Sequence, residues 1–201
     1  MDKYDVSSDY YCYPKTKVLK NKLGIRDKAI LEEAEREITA ISIHAIKYSN
    51  PPYSLEYLRK IHAVLFYELY DWAGEIRTID ISKGNTRFCT HSRIVPEIEK
   101  LFKKLENENY LINSSNDFAF KLTEYYAEFN VIHPFREGNG RVQRLFFEHL
   151  AAYNGYVLDW SLISQTEWIQ ANIDGFNVDY QSLTNIFIKV LNNVLGASHD
   201  F

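Results

Sequence analysis

Cysteine is nearly absent from this chain, with Cys12 and Cys89 the only two. They stand far apart and form no metal-ligand pair, and one bridge between them is the most they could make. A reducing compartment is therefore the expectation. Proline and glycine are also scarce, at five and eight of 201 residues, while hydrophobic residues reach 46% and aromatics 15%. That balance excludes a disordered or low-complexity chain and predicts one packed globular domain over residues 1–201. No basic excess exists: the net charge of −4 argues against a general nucleic-acid coat. No apolar run is long enough to span a bilayer, and Met1-Asp2-Lys3-Tyr4-Asp5 offers no apolar signal core, so a cytoplasmic location is expected. Internal repeats are missing as well.

What is present is mostly helical periodicity. Residues 1–25 read as a strap. Asp27 predicts a helix start, with Ile30, Leu31, Ala34, Ile38, Ile41 and Ala45 turned inward through about Tyr48. Asn50-Pro51-Pro52 breaks it. Ser54 then caps a helix striped by Leu55, Leu58, Ile61, Leu65 and Leu69, with His62 beside the stripe as a core or flank histidine. Residues 77–91 change period. Ile79 and Ile81, a turn at Ser82-Lys83-Gly84-Asn85 and then Thr86-Arg87-Phe88-Cys89 predict a β-hairpin. His91 and Arg93 behind it read as solvated loop residues.

Pro96 opens a helix carrying Ile98, Leu101, Phe102 and Leu105. Ser114, Ser115, Asn116 and Asp117 offer caps for the next, whose Phe118, Leu122, Tyr125, Phe129 and Ile132 recur at helical spacing. Val142, Leu145, Phe146, His149, Leu150 and Tyr153 resume the period until Asn154-Gly155. Ser164 and Glu167 have capping-box form before Trp168 and Ile173. A last helix is predicted from Asp179 through Leu183, Ile186, Phe187, Val190, Leu191 and Val194 to a stop at Gly196. The fold class is all-α, with a single hairpin.

The stretch 133–144, His-Pro-Phe-Arg-Glu-Gly-Asn-Gly-Arg-Val-Gln-Arg, joins two of these helices and is too chemically loaded to be a connector. Pro134 must end the first helix near His133. Gly138 and Gly140 allow close backbone approach to a ligand. A helix starting within Asn139-Gly140-Arg141 aims free N–H groups and a positive dipole end at the loop, an anion cradle. Arg141 and Arg144 leave that first turn on one face, where both can grip phosphate. Glu137 among phosphates implies a divalent cation such as Mg²⁺ between them, and His133 is the side chain suited to take a proton.

With His133, Phe135, Glu137, Gly138, Asn139, Gly140, Arg141 and Arg144 in place, the stretch resembles the Fic signature H-x-F-x-(D/E)-G-N-G-R-x-x-R at every fixed position. Asp71-Trp72-Ala73-Gly74-Glu75-Ile76-Arg77 is similar to the family's segment leading into its hairpin flap. The resemblance covers roughly residues 10–195 and implies a helical fold and transfer of AMP from ATP to a protein hydroxyl. In those roles His133 is the base, Glu137 holds Mg²⁺, and Gly138, Asn139, Gly140, Arg141 and Arg144 bind the nucleotide, Asn139 at the α-phosphate. The flap would hold the target by strand addition. Phe135 anchors the loop and Arg136 has no assigned role. The intact Gly-Asn-Gly core favours AMP transfer over the phosphate-transferring branch.

Many relatives carry an inhibitory (S/T)-x-x-x-E-(G/N) motif whose glutamate pairs with the second arginine. No Ser or Thr here has a glutamate four residues on. The resemblance then implies a separate antitoxin-like protein supplying a glutamate to Arg144, this chain being the toxin and type II topoisomerase subunits its target class. Two other readings stand beside it. One is a non-catalytic module that uses the hairpin edge to hold a partner. The other is transfer of a different nucleotide or phosphate group, or phosphate hydrolysis, which would need more metal ligands than Glu137.

Overall fold

The computed structural model describes residues 9–84, 86–112, 114 and 116–193. Met1–Asp5, Asn85, Ser115, Val194 and Gly196, which entered the expectations above, lie outside them. Among the described residues seven α-helices carry the fold: α1 Lys28–Ser42, α2 Leu55–Phe66, α3 Ile94–Asn107, α4 Phe118–Ile132, α5 Asn139–Tyr153, α6 Gln165–Phe176 and α7 Gln181–Val190.

Helix α4 is the axis of the bundle, packed by α3, α5, α6 and α7. Its expected stripe is buried, but so are Thr123, Tyr126 and Ala127, so it is a central helix rather than an amphipathic one. Phe102, Phe129, Phe146 and Phe147 meet around it in edge-on and tilted pairs 5.1–5.7 Å apart, geometries that favour ring quadrupoles. Asp27, Ser54 and Ser164 cap α1, α2 and α6 by accepting from main-chain N–H groups, the last as a full capping box.

Three expectations are corrected. Helix α1 ends at Ser42 and a 3₁₀ turn, Ile43–Ala45, follows it. Ile30 and Ile41 are 56% and 73% exposed, while Leu31, Glu35 and Thr39 face inward. The helix is rolled so that its polar pair meets partners on α5 and the turn after α2. The last helix stops at Val190, because Leu191–Asn193 (β4) leaves the helix to pair antiparallel with Tyr156–Leu158 (β3). A second two-stranded sheet therefore joins the hairpin. In the hairpin itself the strands, here β1 Ser82–Lys83 and β2 Thr86–Arg87, lie nearer the turn than the alternation suggested, and Gly84 adopts φ +55°. Cys12 and Cys89 form no disulfide, and Cys12 donates to Asp9. No helix among the described residues is long and apolar enough to cross a membrane.

Candidate active site

Helix α4 delivers His133. Pro134 forbids another helical residue, and His133 takes the left-handed conformation, φ 48° and ψ 66°, as the helix C-cap. That backbone costs a non-glycine residue about 1 kcal/mol or more, and it aims the ring out of the helix. Nδ1 lies 2.8 Å from the Asn130 carbonyl. A carbonyl can only accept, so Nδ1 carries the proton and Nε2 keeps the lone pair. Phe88, just past β2, lies flat on the ring at 3.8 Å and 16°. Burial pushes the imidazole pKa down to about 3, the Asn130 bond opposing and the Arg77 and Lys83 charges adding. His133 is thus a neutral base at neutral pH.

The loop after it is braced from four sides. Arg77, 1% exposed, donates to the carbonyls of His133 (2.8 Å), Ile132 (3.2 Å), Ile79 (2.6 Å) and Cys89 (2.5 Å), tying the base to both legs of the hairpin. His62 accepts the Gly74 N–H at Nδ1 (2.8 Å), so its Nε2–H donates to the Glu137 carbonyl (3.1 Å). Its ring stacks on Phe135 at 4.1 Å. The Asn139 side chain closes a two-point clamp on the Phe135 N–H and carbonyl, 2.8 Å each, which makes it a brace of the loop. Arg136 is buried in an ion pair with Asp9 of the strap.

Within this frame Glu137 is 6% exposed. Its Oε1 accepts the Gly138 N–H at 3.1 Å, but its Oε2 is buried with no hydrogen-bond partner. Burial raises its pKa, the Glu35 charge adding and the Gly138 bond and the Arg141 and Arg136 charges opposing. An orphaned carboxylate oxygen is what a hard cation satisfies. Among the described residues no three His, Cys, Asp or Glu side chains cluster as ligands, so a cation here needs substrate oxygens to fill its shell. Gly138 caps α5 at φ +78°, and a Cβ there would fall 2.3 Å from the Phe66 ring. At Gly140 the nearest atom to such a Cβ is Arg144 Nη1, 3.7 Å away, so the arginine reaches back over the mouth of α5.

The profile of the Fic/DOC family matches residues 52–151. The probable protein adenylyltransferase Fic of Escherichia coli (strain K12) is 41% identical over 191 residues, which is 94% of this chain and 96% of that one. The chain belongs to the Fic/DOC family. Two crystal structures of Fic relatives superpose closely. One is the BepC protein of Bartonella tribocorum with bound AMPPNP, TM-score 0.86, 27% identity, covering 91% of this chain and 96% of that one. The other is the N-terminal Fic domain of a putative cell filamentation protein of Bartonella quintana with bound ADP, TM-score 0.86, 30% identity, covering 91% and 94%.

The Fic loop thus brings His133, Glu137, Gly138, Asn139, Gly140, Arg141 and Arg144 together within one turn and one helix start. Sequence reasoning missed its supports. The sequence marks Arg77 only as the start of the flap and does not single out Glu35 or Asp9, while His62, expected in the core or on its flank, is fully buried and braces the loop as well. Glu35 had one usable signal: with Leu31 and Thr39 it repeats at i, i+4, a spacing that places all three on one face.

Proposed function

We propose that this chain transfers AMP from ATP to a Ser, Thr or Tyr hydroxyl of a target protein. It is a protein adenylyltransferase, and the observation that carries the mechanism is the tautomer of His133, whose proton is held at Nδ1 by Asn130. With the lone pair on Nε2, the residue accepts the target hydroxyl's proton as that oxygen attacks the α-phosphorus and pyrophosphate departs. The N-terminal mouth of α5 and the guanidinium of Arg144 receive the β- and γ-phosphates, with Gly138 and Gly140 keeping the approach open. Arg141 and Asn139 belong to the same nucleotide site. Glu137 would hold Mg²⁺ through its unpartnered Oε2, and the ion would neutralise charge on the leaving phosphates. The hairpin edge holds the target segment by main-chain hydrogen bonds.

ATP labelled at the α- or γ-phosphate separates this from the alternatives. In lysate only the α label should mark a protein band, and His133→Ala should abolish it. A γ-labelled band would indicate a kinase, and released phosphate with no labelled band a hydrolase. No signal from either label would leave the binding module.

Control is the finer part of the proposal. Arg144 has no hydrogen bond or ion pair among the described residues, so a separate antitoxin-like protein supplying a glutamate to it would silence the enzyme. A type II topoisomerase subunit is the proposed target. Expression alone should arrest growth, and harmless overexpression of active protein would remove the toxin role.

A further inference from the structure

The two arginines of the motif emerge from one helical turn but meet different surroundings. Arg144 reaches over Gly140 and makes no hydrogen bond or ion pair among the described residues. The Arg141 guanidinium, by contrast, is held from α1: Nη2 pairs with Glu35 Oε1, and Nη1 donates to Thr39 Oγ1 at 3.1 Å. The Thr39 hydroxyl gives its own proton to the Glu35 carbonyl at 2.7 Å, which leaves its lone pair for the arginine. The second oxygen of Glu35 accepts from Tyr70 at 2.5 Å. Phe66 underlies the guanidinium, 4.8 Å from the ring centre, and the same ring walls Gly138.

Glu35 is also the costliest residue in α1 to explain by packing alone. Its side chain is 6% exposed and its partner's 19%. A buried ion pair is a poor source of net stability, since desolvation offsets most of the attraction. It does fix a cation in place. Here the fixed cation stands in the field of Glu137, which also feels the charge of Glu35. Arg141 is thus ion-paired with Glu35 while its charge also reaches Glu137, the candidate metal ligand.

Resting on the adenylyl-transfer reading above, we infer that Glu35 is a positioning residue of the nucleotide site: it anchors Arg141 as the standing counter-ion beside Glu137 and leaves Arg144 as the cation that meets the terminal phosphates. Without the Glu35 charge, Arg141 turns fully onto Glu137 and competes with a divalent cation for it. Losing a group that orients a metal ligand typically weakens metal binding about 10–100-fold.

The test is calorimetric titration of the whole protein with ATP across a Mg²⁺ series, alongside the thermal midpoint of the free protein. Glu35→Gln keeps the shape and removes the charge. It should raise the Mg²⁺ concentration for half-maximal ATP binding by roughly tenfold, while ATP affinity at saturating Mg²⁺ stays within about twofold of wild type. Arg144→Gln should do the reverse, lowering ATP affinity at saturating Mg²⁺ by roughly tenfold or more with the Mg²⁺ midpoint little moved. A Glu35→Gln protein that melts earlier but keeps the wild-type Mg²⁺ midpoint would show a purely structural pair and overturn the inference. So would one that loses ATP affinity at saturating Mg²⁺ as Arg144→Gln does. If Glu35→Gln does not fold, Tyr70→Phe removes only the hydroxyl on the carboxylate and should shift the midpoint in the same direction by a smaller factor; an unchanged midpoint there overturns it equally. Wild-type protein that binds no ATP at any Mg²⁺ level would instead sink the adenylyl-transfer reading itself.

Discussion

The loop at residues 133–144 and the hairpin at 77–91 are tied together by Arg77 and are built in opposite ways. In the loop, side chains from three distant segments converge with the loop's own Asn139: Arg77, His62, Asp9 and Asn139 hold its main chain and its charges in place. In the hairpin, the strands are two residues each, and the ion pair between Arg87 of β2 and Asp80, just before β1, has side chains 72% and 37% exposed. The difference matches what the proposed function would ask of each. Phosphates and a transferring phosphorus demand donors already in position, whereas a target protein segment is met by an exposed edge that can adjust.

The largest test of this contrast is chemical. His133→Ala should cut AMP transfer by roughly 10²–10⁴-fold, the usual contribution of a general base, while ATP binding by calorimetry is retained. Next comes Arg77→Ala, which leaves four carbonyls without their charged donor in a buried place. It should destabilise the fold by about 3 kcal/mol or more in a urea titration, and a loss below about 1 kcal/mol would show the loop to be held otherwise.

Gly138→Ala should cost at least about 1–3 kcal/mol through its positive φ, and more as its methyl meets Phe66. Its ATP affinity should fall as the mouth of α5 shifts. The histidines give a pH test. His62 and His133 are held by burial at a pKa of about 3, against roughly 6.5 in the unfolded chain. The unfolded state therefore binds more protons between those values. Their contribution to stability is complete above about pH 6.5 and is lost as pH falls toward 3. Each can contribute up to about 1.4 kcal/mol per pH unit in that window, and His62→Gln should flatten the slope of melting temperature between pH 6 and pH 4. The smallest effect belongs to the flap. Arg87→Ala should leave stability within about 0.5 kcal/mol and ATP binding unchanged, yet alter target labelling. If it unfolded the protein, the contrast between the halves would fail.

How legible this was in the chain divides along the same line. The loop announced itself, because its chemistry is contiguous: twelve residues hold the base, the carboxylate, the glycines and both arginines. The helix caps at Asp27, Ser54 and Ser164 were legible for the same local reason. What braces the loop was not, since Asp9 and Arg136 stand 127 positions apart and nothing near either one names the other. Helix α1 shows how a tertiary partner overrides periodicity. Ile30 and Ile41 looked inward by hydrophobicity, but the requirement that Glu35 and Thr39 reach Arg141 turned the helix and left those isoleucines outside. β4 was hidden because Leu191 and Val190 continue a helical stripe, while pairing with β3 decides the conformation.

Arg77 gives the two halves a common fastening, because one guanidinium grips the carbonyl of the base and both stems of the flap. Under the proposed function, a guest that pried the hairpin upward would therefore pull on His133, the residue proposed to deprotonate it. On the proposed function, seating of the acceptor and readiness of the imidazole would be mechanically a single event, and a poorly fitting acceptor would spoil the chemistry as well as its own grip.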